Sequence, residues 1–307
     1  MFNSYGIPKW KLWLFKAIDN NLYQAIKHHL ITQRNTTRWA RPGDCSFSPA
    51  NAVQDRMLSF KHSGNAGDII YALPTIKALN GIHGAHLSLA LGMPLSGSTL
   101  HPLGGVMLNQ QMYDNLSPLL IQQNYISKLS IYHNNDIDFD LDLFRKLPVP
   151  FDRTNISRWY FNLLGITADL SIPWLTVNKN DYYSDFTILA RSSRYRNENI
   201  NYKFLSGRKR LVFVGIKEEF EEMRKIIPGL DWHPVKNFLE LGETIAGCQL
   251  FIGNQSFPFS LAEGLKVPRI LEVDPRCANV MPCGNNGFEA FSQTQLEYLV
   301  EKVLGNH

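Results

Sequence analysis

The segment Lys61-His62-Ser63-Gly64-Asn65-Ala66-Gly67-Asp68 sets a carboxylate, an amide side chain and two glycines between a strand-like run and a helix-like one. Gly64 and Gly67 can take backbone angles closed to other residues and let a ligand approach the main chain. Asp68, expected to open a helix over Asp68–Leu79, can either cap free amides or point outward as a base. The loop is neither a phosphate-binding Gly-Lys-Ser/Thr loop nor the Gly-x-Gly-x-x-Gly of dinucleotide enzymes. A second loop has similar surroundings. A strand expected over Gln249–Gly253 runs into the turn Asn254-Gln255-Ser256-Phe257-Pro258-Phe259, and a helix opens at Ser260. A helix start offers unpaired N–H groups and partial positive charge, which suit a phosphate, and Asn254, Gln255 and Ser256 add side-chain donors.

Two charged stretches flank these loops. Arg191-Ser192-Ser193-Arg194-Tyr195-Arg196 follows the expected strand Phe186–Ala190, where guanidinium groups could grip a diphosphate or stand in solvent. Asp136, Asp138, Asp140 and Asp142 alternate with apolar residues, so in a strand all four would share one face. Clustered carboxylates suit a hard cation, but a sheet edge guarded by charge explains the pattern better. Arg145, just beyond, can pair with one of these acids or meet an acidic ligand.

The elements that must carry these residues alternate. Strands are expected at Arg56–Lys61, Leu87–Leu91, Ile126–Tyr132, Phe186–Ala190, Leu211–Gly215, Gln249–Gly253 and Arg269–Val273, with helices at Glu218–Ile227 and Phe238–Ala246. This alternation implies parallel sheets with crossover helices, hence two α/β domains about a cleft, with the joint near Ser171–Asp181. Ahead of them, Pro8–Ile31 reads as one amphipathic helix and Gln33–Asn51 as a connecting loop. The helix is expected to dock on the body of the chain, although its Trp and Lys content also suits a membrane surface. The divisions are 1–55, 56–175 and 176–307.

Composition excludes several classes. With 307 residues, 44% hydrophobic and 19% charged, the chain is too large and apolar to be disordered or a disulfide-stapled miniature. A net charge of +4 names no nucleic-acid partner, and no run of 18 apolar residues forms a spanning helix. Cys45, Cys248, Cys277 and Cys283 have neither Cys-x-x-Cys nor zinc-finger spacing and read as reduced thiols of a cytoplasmic protein.

Two segments carry a resemblance. Ser63-Gly64-Asn65-Ala66-Gly67-Asp68-Ile69-Ile70-Tyr71-Ala72-Leu73-Pro74 resembles the amino-terminal loop of the heptosyltransferase-like glycosyltransferases of family 9, and Phe251 to Pro268 is similar to that family's donor loop. The resemblance implies a GT-B fold: an acceptor domain and a nucleotide-sugar domain, both Rossmann-like, with metal-independent, inverting transfer in the cleft and no cofactor beyond the co-substrate. It gives Asp68 the role of general base; Arg145, from its place beside the acidic ladder, is expected on the acceptor side. Asn65, Gly67, Arg191, Arg194, Asn254, Gln255, Ser256 and Glu263 fall on the donor side. The implied partners are a nucleotide-sugar and a hydroxyl acceptor such as a glycan or glycolipid. Contact with the inner face of a membrane through the amino-terminal helix is compatible with both. The family's donor loop is usually Asp-Ser/Thr-Gly-x-x-His, whereas this chain has Asn254-Gln255-Ser256-Phe257-Pro258-Phe259. That difference keeps a second reading open, a catalytically silent nucleotide or nucleotide-sugar binding protein on the same fold.

Overall fold

A computed structural model describes residues 8–39, 56–80, 83–95, 105–147 and 153–305. Cys45 and residues 40–51 of the loop expected over Gln33–Asn51 lie outside them, while residues 33–39 of that expected loop are helical instead. The first sheet is built from β1 (Leu58–His62), β2 (Ala85–Leu89), β3 (Ile126–Ile131) and β4 (Phe139–Asp140), in the order β3-β2-β1-β4. The second holds β5 (Thr187–Ala190), β6 (Leu211–Phe213), β7 (Asp231–Trp232), β8 (Leu250–Asn254), β9 (Arg269–Glu272) and β10 (Gly287–Ala290), in the order β10-β9-β8-β5-β6-β7. Every pairing in both sheets is parallel. β5, β8 and β9 are buried along their whole length, as strands covered on both faces must be.

The amino-terminal region departs from expectation. Instead of one helix there are two, α1 (Lys9–Ile18) and α2 (Asn20–Trp39). They are separated by Asp19, whose extended backbone (φ −147°, ψ 99°) breaks the first, while its carboxylate accepts the Leu22 amide at 3.0 Å to open the second. Trp10, Trp13, Leu14 and Ile18 of α1 remain exposed, contrary to the expected docking on the body of the chain. The acidic ladder also differs, because only Phe139 and Asp140 form a strand, at the edge of the first sheet. Three of its four acids are matched with cations: Asp138 pairs with Arg56, Asp140 with Lys61, and Asp142 with Lys61 and Arg145.

The remaining helices are α3 (Ala66–Asn80), α4 (Gln110–Ile121), α5 (Ile156–Leu164), α6 (Lys217–Ile226), α7 (Phe238–Gly247), α8 (Phe257–Leu265) and α9 (Gln293–Leu304). α4, α5 and α9 are additions to the sequence expectation. Helix α3 is apolar on nearly all sides, with Ile69, Ile70, Tyr71, Ala72, Leu73 and Ile76 all buried. A helix of that kind must be covered all round. Here it lies between its own sheet and the second half, and one hydrophobic core runs from Leu58 and Ile70 through Phe259 to Leu271.

No helix or strand occurs between Leu164 and Asp181. That segment is nevertheless pinned: the Trp174 and Leu175 amides donate to the Gly264 carbonyl, and Tyr125 donates to the Trp174 carbonyl. It is a fixed tie between the halves rather than a loose joint. Among the described residues no helix is long and apolar enough to cross a membrane.

Candidate functional site

The first loop folds around a buried imidazole. His62 ends β1, and its Nδ1 accepts the Gly64 amide at 2.9 Å, so the proton must sit on Nε2. Nε2–H donates to Tyr160 on α5 (2.8 Å), and the Tyr160 hydroxyl donates to the Asp68 carbonyl (3.2 Å). This chain fixes the first turn of α3 from below. Burial pushes the His62 imidazole down to about 4, so it remains neutral at physiological pH.

A stability prediction follows from that shift. Between pH 6.5 and 4 the unfolded chain binds a proton at His62 that the native state refuses. Stability is therefore complete above pH 6.5 and falls as the pH drops through this window, by up to about 3 kcal/mol from this group. Urea unfolding of the wild type against His62→Gln checks it: the variant should lose that part of the acid slope, and identical slopes would contradict the assignment.

Asp68 lies in the first turn of α3, which begins two residues earlier than expected, at Ala66. Its Oδ2 receives Arg145 Nη2 at 3.2 Å, and Arg145 Nη1 is held by Asp142 at 2.5 Å. Asp142 also accepts the Ser63 amide at 3.0 Å. Arg145 thus orients the carboxylate, while Asp68 Oδ1 has no hydrogen-bond partner among the described residues. Gly64 is required here, since a Cβ would stand 2.5 Å from both Arg145 Nη2 and the His62 ring and 2.9 Å from Asp68 Oδ2.

The second loop meets the first. The site of a Cβ on Gly67 lies 4.0 Å from both Phe257 Cα and Ser260 Oγ, so the starts of α3 and α8 abut. Helix α8 begins at Phe257, three residues earlier than expected, with Ser256 as its N-cap residue. The Ser256 hydroxyl does not cap it but donates back to the Asn254 carbonyl at 3.2 Å. Pro258 has no N–H to cap, and with the Ser256 hydroxyl turned away the Phe257 and Phe259 amides have no side-chain cap. Gln255 is buried: its Nε2 donates to Asn279 at 2.9 Å, and its Oε1 has no hydrogen-bond partner among the described residues. Asn65 Oδ1, before α3, is a second buried oxygen without a hydrogen-bond partner among the described residues.

Three residues expected on the donor side have other partners. Arg191 is buried in a two-point pair with Glu272, both contacts 2.7 Å, and also donates to the Asn197 and Ile200 carbonyls. Asn254 is buried too. Its Oδ1 accepts the Ser192 amide and its Nδ2 donates to the Ser192 and Arg194 carbonyls, so it clamps the 192–195 loop against β8. Glu263 is buried between Lys266 and Arg269 and accepts the Cys283 amide at 3.0 Å. Direct donor roles for Arg191, Asn254 and Glu263 are corrected accordingly: each holds the loops rather than facing a ligand.

Of the basic stretch, Arg194 remains available. Its guanidinium lies 5.7 Å from the Tyr195 ring centroid, with no ion pair among the described residues. Tyr195, held at φ 56°, lies within electrostatic reach of Asp68 and Cys277. Sequence reasoning missed Tyr195, Cys277, Tyr160 and Asn155. The last donates to the Met281 carbonyl across the two halves (3.1 Å) and had no signal in its neighbours. Among the described residues no group of three His, Cys, Asp or Glu side chains could hold a metal ion.

No protein-family model matches the chain, and no curated protein matches it. Solved structures do. A glycosyl transferase of family 9 from Veillonella parvula superposes with a TM-score of 0.52 at 13% identity, covering 83% of this chain and 90% of that one. The E. coli heptosyltransferase WaaC, solved with ADP-2-deoxy-2-fluoro heptose, gives 0.53 at 10% identity over 80% and 99%; solved with ADP it gives 0.54 at 9% over the same shares. The likeness shows that the chain has their two-sheet GT-B fold.

Proposed function

We propose that this chain is a glycosyltransferase that moves a sugar from a nucleoside-diphosphate sugar to an acceptor hydroxyl. The observation that carries the reading is the apposition of two helix starts, α3 with its oriented Asp68 and α8 with its uncapped amides. The α8 start suits the donor diphosphate, joined by Gln255, Ser256 and Arg194 from the second half and by Asn65 and Gly67 from the first. Asp68 takes the proton of the acceptor hydroxyl as its oxygen attacks the anomeric carbon from the face opposite the leaving group. The bond from that carbon to the phosphate oxygen breaks, and its electron pair leaves with the nucleotide, stabilised by the α8 amides and Arg194. The scheme inverts the anomeric centre and routes no step through a metal. The family 9 enzyme and the ADP-bound heptosyltransferase with the same fold support it.

In this reading residues 56–175 bind the acceptor, a glycan or glycolipid, and 176–307 the donor. The protein works in the cytoplasm at the inner face of a membrane. Arg145 acts as a positioning residue for Asp68 rather than as the acceptor ligand.

A panel of ADP-, GDP-, UDP-, dTDP- and CMP-linked sugars tests the proposal by thermal shift and by nucleotide release. At about 100 times its dissociation constant, a true donor should stabilise the fold by about 2.7 kcal/mol. A diphosphate-linked sugar should do so, and the singly phosphorylated CMP-sugar should not. Stabilisation without turnover on any hydroxyl acceptor would favour the silent binding protein, for which the altered donor loop speaks. No stabilisation by any member would overturn both readings.

A further inference from the structure

The amino-terminal helix pair carries charge and apolar surface out of proportion to its size. Residues 9–39 hold six Lys and Arg against one acid, Asp19, a balance of +5. The other 276 residues hold 25 basic and 26 acidic side chains, a balance of −1. The net positive charge of the chain therefore resides in this pair. On α1, Trp10, Trp13, Leu14, Ala17 and Ile18 recur at helical spacing and are all exposed, Trp13 by 79%, Ile18 by 75% and Trp10 by 63%. Leu12 and Phe15, on the opposite side, are half-buried. Leu22 extends the exposed apolar surface onto α2. Lys11 and Lys16 are exposed on either side of the α1 stripe, with Lys11 Nζ 5.5 Å from the Trp10 ring centroid.

We infer that α1, steadied by α2, lies in the surface of a bilayer that contains anionic lipid. Indole rings favour the boundary between headgroups and acyl chains, and flanking lysines keep their stems in the apolar layer while their ammonium groups meet headgroup phosphates. The lone acid stands at the break between the helices, where its carboxylate accepts the Leu22 amide at 3.0 Å. Charge is what selects this occupant, since a second copy of the chain would bring another strongly cationic pair against the first. The inference is independent of the transferase reading, because it uses none of the cleft residues.

The full chain is sedimented with vesicles of phosphatidylcholine alone and with vesicles about one-third phosphatidylglycerol, at low and high salt. Partition should be at least about tenfold greater into the anionic vesicles and should fall about tenfold at high salt. Lys11→Glu/Lys16→Glu and Trp13→Ala/Ile18→Ala should each lose about tenfold. These positions are exposed, so unchanged circular dichroism and an unchanged response to nucleotide-sugars should accompany the loss. Equal partition into both kinds of vesicle, or none into either, would overturn the inference. So would self-association that the Trp13→Ala/Ile18→Ala variant abolishes while vesicles bind neither protein.

Discussion

Asp68→Asn should lower kcat by about a thousandfold and leave the donor dissociation constant within about threefold. General base catalysis contributes about 10² to 10⁴ in rate, and the asparagine amide cannot take up the acceptor proton. The substitution preserves shape. Arg145 remains anchored to Asp142 at 2.5 Å, and the His62–Tyr160 chain meets the main-chain carbonyl of residue 68, which the change leaves in place. Loss of turnover would then report chemistry rather than folding. Calorimetry of the donor separates the effects, because a base that acts only in the transition state affects k rather than binding. Unchanged kcat would remove Asp68 from the mechanism. Loss of donor affinity equal to the loss of rate would make it a binding residue instead.

Arg191→Met should destabilise the fold by about 3–5 kcal/mol. The Glu272 carboxylate is fully buried and accepts from Arg191 twice, from the Asn197 amide at 2.7 Å and from Tyr202 at 2.8 Å. Without the guanidinium it becomes a buried charge with no counter-charge, which is the costly way to break such a pair. Urea unfolding measures the loss. The double variant Arg191→Met/Glu272→Leu should recover a large part of it, because both charges leave together. Nucleotide affinity of the folded protein should remain within about threefold. Undiminished stability with lost affinity would return Arg191 to the ligand site that its position after β5 suggests.

That contrast marks what the sequence could and could not disclose. The alternation of strand and helix was readable because hydrophobic periodicity is local, and both loops stand at strand–helix junctions where they were expected. The partners of charged residues were not local. Glu272 is 81 residues from Arg191 and on another strand, so nothing around Arg191 distinguished a buried pair from a phosphate ligand. Asn254 misled for the same reason, since the loop it clamps is 60 residues away. The single helix expected over Pro8–Ile31 failed at one residue: the apolar spacing runs nearly unbroken past Asp19, but that carboxylate competes for the backbone and starts a new helix. Helix α3 begins at Ala66 rather than Asp68, a shift of two residues that still leaves the carboxylate in the first turn.

The proposal stands or falls on whether the uncapped start of α8 receives the donor diphosphate. Selective ¹⁵N labelling of phenylalanine followed by titration with the nucleoside diphosphate of the best-stabilising sugar addresses this directly. The Phe257 and Phe259 amides should shift strongly and saturably, while Phe213 and Phe288, in β6 and β10, should remain in place. Saturation of the protein with those two amides unmoved would contradict the account.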